Sequence, residues 1–318
     1  MIKPDLLLTG PLYPHTVAQL DAAYTVHRLW EAAEKDAFLA ERADRITAAV
    51  SNAGVGFSAA WMTKLPKLKI IANFGVGYES TDVKTALARG IVVTNTPDVL
   101  NECVADTAWM LVMATVRRLA FQDRYVRDGR WLKGNAPLTD RLWGMRIGIL
   151  GLGRIGMAIV RRAQGFQTPI SYHNRSKRDD VPYAYYASPA ELARNVQLLI
   201  VVTPGGAGTE KIVDRNVIDA LGPKGYLVNI SRGSTVDELY LLDALQKGRL
   251  AGAGLDVFVD EPRIPEAYFK LDNVVLQPHV GSGTHPTRQA MGQCVVDNLA
   301  AFFAGTPLIS PVPETPVK

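Results

Sequence analysis

At 318 residues, 47% hydrophobic and 21% charged, the chain is long enough for two domains with sizeable cores and too apolar to be disordered. The net charge is +4, but positive residues are scattered except at 175–178, which argues against a nucleic-acid surface. Cys103 and Cys294 are the only cysteines, which supports neither a disulfide framework nor a zinc motif, so no metal is expected. No apolar run approaches the ~18 residues of a membrane span, and Pro4 and Asp5 interrupt the first residues, so no secretory signal is read there. A cytoplasmic protein with no membrane partner is the expectation, with both cysteines as small buried hydrophobes.

In chain order, short apolar runs alternate with amphipathic segments, the pattern of parallel α/β sheets. Strands are predicted near 6–9, 25–29, 47–51, 68–73 and 91–94, with helices between them. Residues 101–127 contain neither glycine nor proline, and Val104, Ala108, Leu111, Val112, Thr115 and Leu119 recur at helical spacing, so one long helix is predicted. Residues 129–140, with Trp131, read as a loop or arm, serving either surface packing or exchange with a partner subunit. Further strands are predicted at 147–150, 170–173, 198–203, 226–230, 254–257 and 274–276. A last helix at about 287–303 would return the chain to the first domain, and a proline-rich tail, 307–316, reads as an extended strap.

Gly151-Leu152-Gly153-Arg154-Ile155-Gly156 follows a predicted strand and opens a predicted helix at 155–163. Alone, the Gly-x-Gly-x-x-Gly spacing is weak; in strand, turn, helix context it reads as a pyrophosphate cradle. Gly151 allows the tight turn, Gly153 the approach of the backbone to phosphate, and Gly156 close helix packing, while the helix N-terminus attracts the anion. A dinucleotide fold begins at this motif, so the five earlier strands need their own sheet. Two domains follow: 1–98 with 287–318 for substrate, and 99–286 for the dinucleotide.

After the next strand, where an acid would accept from a ribose 2′-hydroxyl, stand Asn174-Arg175-Ser176, followed by Lys177 and Arg178. A carboxylate would repel a 2′-phosphate, whereas Arg175 can pair with one through its planar fork and Ser176 can donate a hydrogen bond. The predicted cofactor is NADP, with NADPH preferred over NADH. Arg154, Ile155 and Thr203 are expected to join these residues at it.

Ligands in open parallel sheets sit beyond the carboxyl ends of strands. Three such ends carry Arg232, Glu261 and His279. Reducing a 2-oxo acid needs a cation for the carboxylate, polarisation of the carbonyl and a proton for the emerging alkoxide. Arg232 supplies the first two and His279 the third, while a carboxylate from Glu261 favours the charged imidazole and fixes its orientation. Taken singly, each has an ordinary alternative: a surface ion pair, a turn cap, a loop histidine.

Together with the glycine motif, Ser231-Arg232-Gly233, Asp256-Val257-Phe258 with Glu261-Pro262, and Pro278-His279-Val280-Gly281-Ser282 resemble the ordered motifs of the D-2-hydroxyacid dehydrogenases over nearly the whole chain. Phe74-Gly75-Val76-Gly77-Tyr78 is similar to the family's substrate-domain loop. The resemblance implies two doubly wound parallel-sheet domains, Rossmann for NADP and flavodoxin-like for substrate, with a cleft between them. It also implies Val76 and Gly77 as substrate contacts, Arg232 as the substrate arginine, His279 as acid/base with Glu261 as its partner, Asp256 at the nicotinamide carboxamide, Thr107 near that ring, and a homodimer.

Within that family, Asn174-Arg175-Ser176 is similar to the NADP-preferring glyoxylate and hydroxypyruvate reductases, which act on small 2-oxo acids, and their group includes hydroxyphenylpyruvate reductases. The small residues of 52–57 do not obviously exclude a larger side chain from the pocket. Two rivals remain: a reductase of aromatic 2-oxo acids, and a corepressor-like dinucleotide sensor, since fold alone does not decide turnover.

Overall fold

The computed structural model describes residues 3–52 and 54–315; Ala53 of the 52–57 loop and Pro316 at the end of the tail lie outside the described residues. The chain divides into two compact units, Met1–Leu100 with Thr284–Lys318, and Asn101–Gly283.

In the first unit, β1 (Asp5–Leu8), β2 (Thr25–Arg28), β3 (Ile46–Asn52), β4 (Ile70–Phe74) and β5 (Val92–Thr94) form a parallel sheet ordered β2-β1-β3-β4-β5, the flavodoxin order. The inner strand β4 is buried along its whole length, as covering both faces of a parallel sheet requires, and so reads as an apolar run interrupted only by Asn73 rather than as an alternation. Leu7, Ile46, Phe57, Met62, Leu65 and Ile71 centre one core layer. The last helix runs His285–Ala304 and packs on β4 and on the helix Pro14–Ala23. Gly292 permits that approach, because a Cβ there would meet the Thr16 hydroxyl at 1.7 Å. The tail is tied down: Asn298 Oδ1 accepts from Ile309 and Ser310 N–H, and Thr315 Oγ1 from Val93 N–H.

In the second unit, β6 (Ile147–Leu150), β7 (Ile170–His173), β8 (Ala184–Tyr185), β9 (Leu198–Val201), β10 (Tyr226–Asn229), β11 (Gly252–Leu255) and β12 (Val274–Leu276) form a parallel sheet ordered β12-β11-β10-β9-β6-β7-β8. This is the Rossmann order with one strand added, and the order reverses at β6, whose carboxyl end carries the glycine motif. The two-residue β8 is too short for any periodicity to announce it.

The single helix predicted over 101–127 is in fact two, Asn101–Val116 and Leu119–Arg127. The break is at Arg118, which takes a left-handed φ of 48° with its guanidinium 4.3 Å from the Phe121 ring centroid. The first helix is drawn onto β11, where a Cβ at Gly254 would meet Thr115 Oγ1 at 2.6 Å. That close packing fixes its axis, and the apolar spacing continues across the break, so no local pattern marks it. Residues 129–140 form a short 3-10 turn, Arg130–Lys133, followed by irregular chain, with Leu132 93% and Leu138 98% exposed. Cys294 is buried, but Cys103 is only half-buried, against the expectation for it. Among the described residues, no helix is long and apolar enough to cross a membrane.

Candidate active site

The glycine turn is built as its spacing requires. Gly151 has φ of 103°, and a Cβ there would strike Thr203 N at 2.8 Å, so the turn is pressed against the end of β9. At Gly156 a Cβ would lie 2.8 Å from the Gly151 carbonyl oxygen. At Gly153 it would meet nothing within 4 Å: the backbone there faces open space, at the start of a helix (Arg154–Gln164) without a side-chain cap. A cavity of about 440 Å³ opens at this point, lined by Gly153, Arg154, Met157, Arg161 and Arg178 among others. Bare N–H groups at a helix start suit an anion; two of the guanidinium groups are already paired, Arg161 with Glu102, which also lines the cavity, and Arg178 with Asp180. Nearby, the Thr203 hydroxyl is buried and has no partner among the described residues, as a donor reserved for a ligand would be. Ile155 is half-buried in the first turn of the same helix. These features fit a dinucleotide pyrophosphate.

Asn174 does more than leave out a carboxylate. Its Oδ1 accepts from Leu152 N at 2.6 Å, bracing the glycine turn from β7. Arg175, Ser176 and Lys177 are exposed beyond it. Arg178 is committed differently: it ion-pairs with Asp180 at 2.5 Å and donates to the Leu152 carbonyl at 2.9 Å. Of the four residues after Asn174, it is the one whose side chain is held in a network among the described residues.

Three loops carry the proposed chemistry. Asn229, 1% exposed at the end of β10, shapes the first, accepting from Ser231 N at 3.0 Å and donating to the Arg232 carbonyl at 3.0 Å. Thr235 Oγ1 donates to that same carbonyl at 2.6 Å. Asn229 was not singled out in the sequence; an amide at a strand end two residues before a turn was its only signal.

In the second loop, Glu261 Oε1 accepts from Phe258 N at 2.9 Å, leaving Oε2 for His279 Nδ1 at 2.7 Å. Burial pushes the Glu261 carboxyl up, but the His279 hydrogen bond, the Phe258 N–H and the charges of His279 and Arg232 outweigh it and hold the group below its ordinary value. His279 and Arg232, from two other strand ends, thus both bear on the Glu261 carboxylate. With Nδ1 bound to the carboxylate, Nε2 is the nitrogen left for a substrate.

The third loop is held by Asp256, 1% exposed after β11. Its carboxylate oxygens accept from Val280 N and Gly281 N, each at 2.8 Å, and its carbonyl accepts from His279 N at 2.8 Å. His279 is thereby fixed with a left-handed φ of 52°. Burial raises the Asp256 carboxyl above its ordinary value, and the two N–H donors oppose the rise. The residue that resemblance sends to the nicotinamide is thus also the brace of the histidine loop. Thr107, likewise buried, donates to the Gly281 carbonyl at 3.3 Å.

In the first unit, Val76 and Gly77 follow β4 in a half-buried loop.

The model of the D-isomer specific 2-hydroxyacid dehydrogenase NAD-binding domain matches residues 109–281. The chain is 48% identical to hydroxyphenylpyruvate reductase of Plectranthus scutellarioides, and 47% identical to glyoxylate/hydroxypyruvate reductase A of Arabidopsis thaliana; each match covers 96% of this chain and 98% of the relative. Among solved structures, the NADPH-dependent glyoxylate/hydroxypyruvate reductase of Sinorhizobium meliloti, in complex with NADP and malonate, superposes with a TM-score of 0.94 at 44% identity, covering 99% of this chain and 98% of that one. With its Rossmann sheet, its glycine turn and these relatives, the chain belongs to the D-isomer specific 2-hydroxyacid dehydrogenase family.

Proposed function

We propose that this protein reduces small 2-oxo acids, glyoxylate and hydroxypyruvate, to 2-hydroxy acids with NADPH. The observation that carries the reading is the His279–Glu261 hydrogen bond at 2.7 Å, with the Arg232 charge bearing on the same carboxylate. When bound, the reduced nicotinamide supplies the hydride. Arg232 binds the substrate carboxylate and polarises its carbonyl, His279 Nε2 delivers the proton to the carbonyl oxygen as the carbon accepts the hydride, and Glu261 stabilises the imidazolium before transfer. Val76 and Gly77 give their N–H groups to the carboxylate. Gly151, Gly153, Arg154, Ile155 and Gly156 hold the pyrophosphate, Thr107, Thr203 and Asp256 serve the nicotinamide end, and Arg175 and Ser176 take the 2′-phosphate, a choice supported by the absence of an acid at Asn174 and by the NADPH-dependent relative.

The test is loss of NADPH absorbance with glyoxylate, hydroxypyruvate and hydroxyphenylpyruvate. Higher kcat/KM on the two small acids supports the reading. A clear preference for hydroxyphenylpyruvate favours the aromatic alternative, to which the 48% identical relative lends weight. Cofactor binding without turnover of any 2-oxo acid leaves the dinucleotide sensor. The protein is further assigned to the cytoplasm and to a homodimer, the latter supported by the exposed Trp131, Leu132 and Leu138 of the 129–140 arm and by the exposed Leu119, Val126 and Trp143 that flank it in sequence; light scattering giving the mass of one chain rejects the dimer.

A further inference from the structure

The substrate loop after β4 is held by two side chains that neither composition nor motif marks. Asn73, fully buried, donates its amide to the Gly75 carbonyl at 3.2 Å and the Gly77 carbonyl at 2.9 Å. Asn95, from the segment just after β5, donates to the Val76 carbonyl at 2.9 Å, while Thr96 N donates to the Gly75 carbonyl at 3.0 Å. All three loop carbonyls are thus drawn onto protein donors. By contrast, no acceptor among the described residues meets the N–H of Val76 or Gly77, in a stretch of chain that is only half-buried.

A peptide whose carbonyls are tied down on one side presents its N–H groups on the other, and successive outward N–H groups form an anion-binding concavity. Left untied, the same loop could turn a carbonyl toward the anion, which repels it. We propose that Asn73 and Asn95 are positioning residues for substrate recognition: they fix the 75–77 backbone so that the Val76 and Gly77 N–H groups receive the carboxylate of the 2-oxo acid. The inference rests on the reading of this chain as a 2-oxo acid reductase. Neither amide touches the substrate; each acts through the carbonyl it holds.

The effect belongs to carboxylate binding and not to hydride transfer, and this separates it from a general loss of structure. Asn95→Ala in the full chain should raise the KM for glyoxylate and the dissociation constant of oxamate, a carboxylate that is not reduced, together by about five- to tenfold, the worth of one hydrogen bond. The KM for NADPH and kcat at saturation should stay within about twofold. Asn73→Ser, which keeps a shorter donor, should give a smaller rise in the same two constants; should that variant fail to fold, Asn95→Ala decides alone. Unchanged glyoxylate KM and oxamate affinity, or a fall in kcat with KM unmoved, overturns the proposal, as does an unsubstituted protein that binds no oxamate beside NADPH. If the unsubstituted protein binds oxamate but turns over no 2-oxo acid, the reductase reading fails, and calorimetry of oxamate with the variants still decides the role of the two amides.

Discussion

Gly233 lies against the backbone of Phe258 so closely that a Cβ on it would fall 1.9 Å from the Phe258 carbonyl carbon and 2.1 Å from its oxygen. Gly233 follows Arg232, and Phe258 N–H holds Glu261. The contact thus sets the spacing between the loop that carries the arginine and the loop that carries the acid. Gly233→Ala should cost about 1–3 kcal/mol through overpacking and lower kcat by about 10²-fold, since misplacement by about 1 Å has that effect. Denaturant midpoints and steady-state kinetics check this; an alanine variant with unaltered kcat would show that the spacing is not critical.

His279→Ala should lower kcat by about 10²–10⁴-fold, the usual contribution of a positioned general acid, with the NADPH dissociation constant nearly unchanged. Single-turnover absorbance and fluorescence titration separate the two quantities. Full turnover in this variant would remove His279 as the proton donor.

The Glu261–His279 pair also sets an acid limit. The Glu261 carboxyl is held below its ordinary value of 4.5 in the folded protein, so in that range the unfolded chain binds more protons. The contribution of Glu261 to stability is therefore present above about pH 4.5 and is lost as pH falls through the lower folded value. The acid-side fall in stability should thus be shallower in Glu261→Gln, which keeps the shape and loses the titration. Parallel melting curves from pH 3 to 6 that fall equally in both proteins would contradict the assignment.

Asp256→Asn should test the brace. One carboxylate oxygen becomes an NH2 group that cannot accept, so either the Val280 or the Gly281 N–H loses its partner. The expected cost is about 1.5–3 kcal/mol, typical of a hydrogen bond to a charged group, accompanied by a lower kcat as His279 loses its fixed backbone. Chemical denaturation reads the first and turnover the second; an unchanged denaturation midpoint would rule out the bracing role.

Arg175→Ala should raise the NADPH KM by about 10–100-fold, from the loss of charge-assisted bonds to phosphate, and leave the NADH KM close to its starting value. Equal effects on both cofactors would move the 2′-phosphate to another group, with Arg178 as the nearest candidate once freed from Asp180.

Much of this was legible in the chain itself. The strands at 147–150, buried throughout, and 274–276 stand where hydrophobic runs placed them, because a parallel strand covered on both faces needs an apolar stretch. The break at Arg118 and the two-residue β8 were not legible: the first leaves the helical spacing intact, and the second is shorter than a period.

Within the site, the sequence marked the groups with distinctive chemistry, Arg232, Glu261, His279 and the glycines of 151–156, because side-chain type and short-range spacing are local properties. The amides and the acid that aim them were decided only by the tertiary structure. Asn73 finds its acceptors within four residues, but Asn95 reaches Val76 across 19, Asn174 reaches Leu152 across 22, and Asp256 reaches Val280 and Gly281 across 24 and 25. An asparagine or aspartate is common in any loop, and it becomes a brace only when sheet packing brings a particular backbone group within about 3 Å.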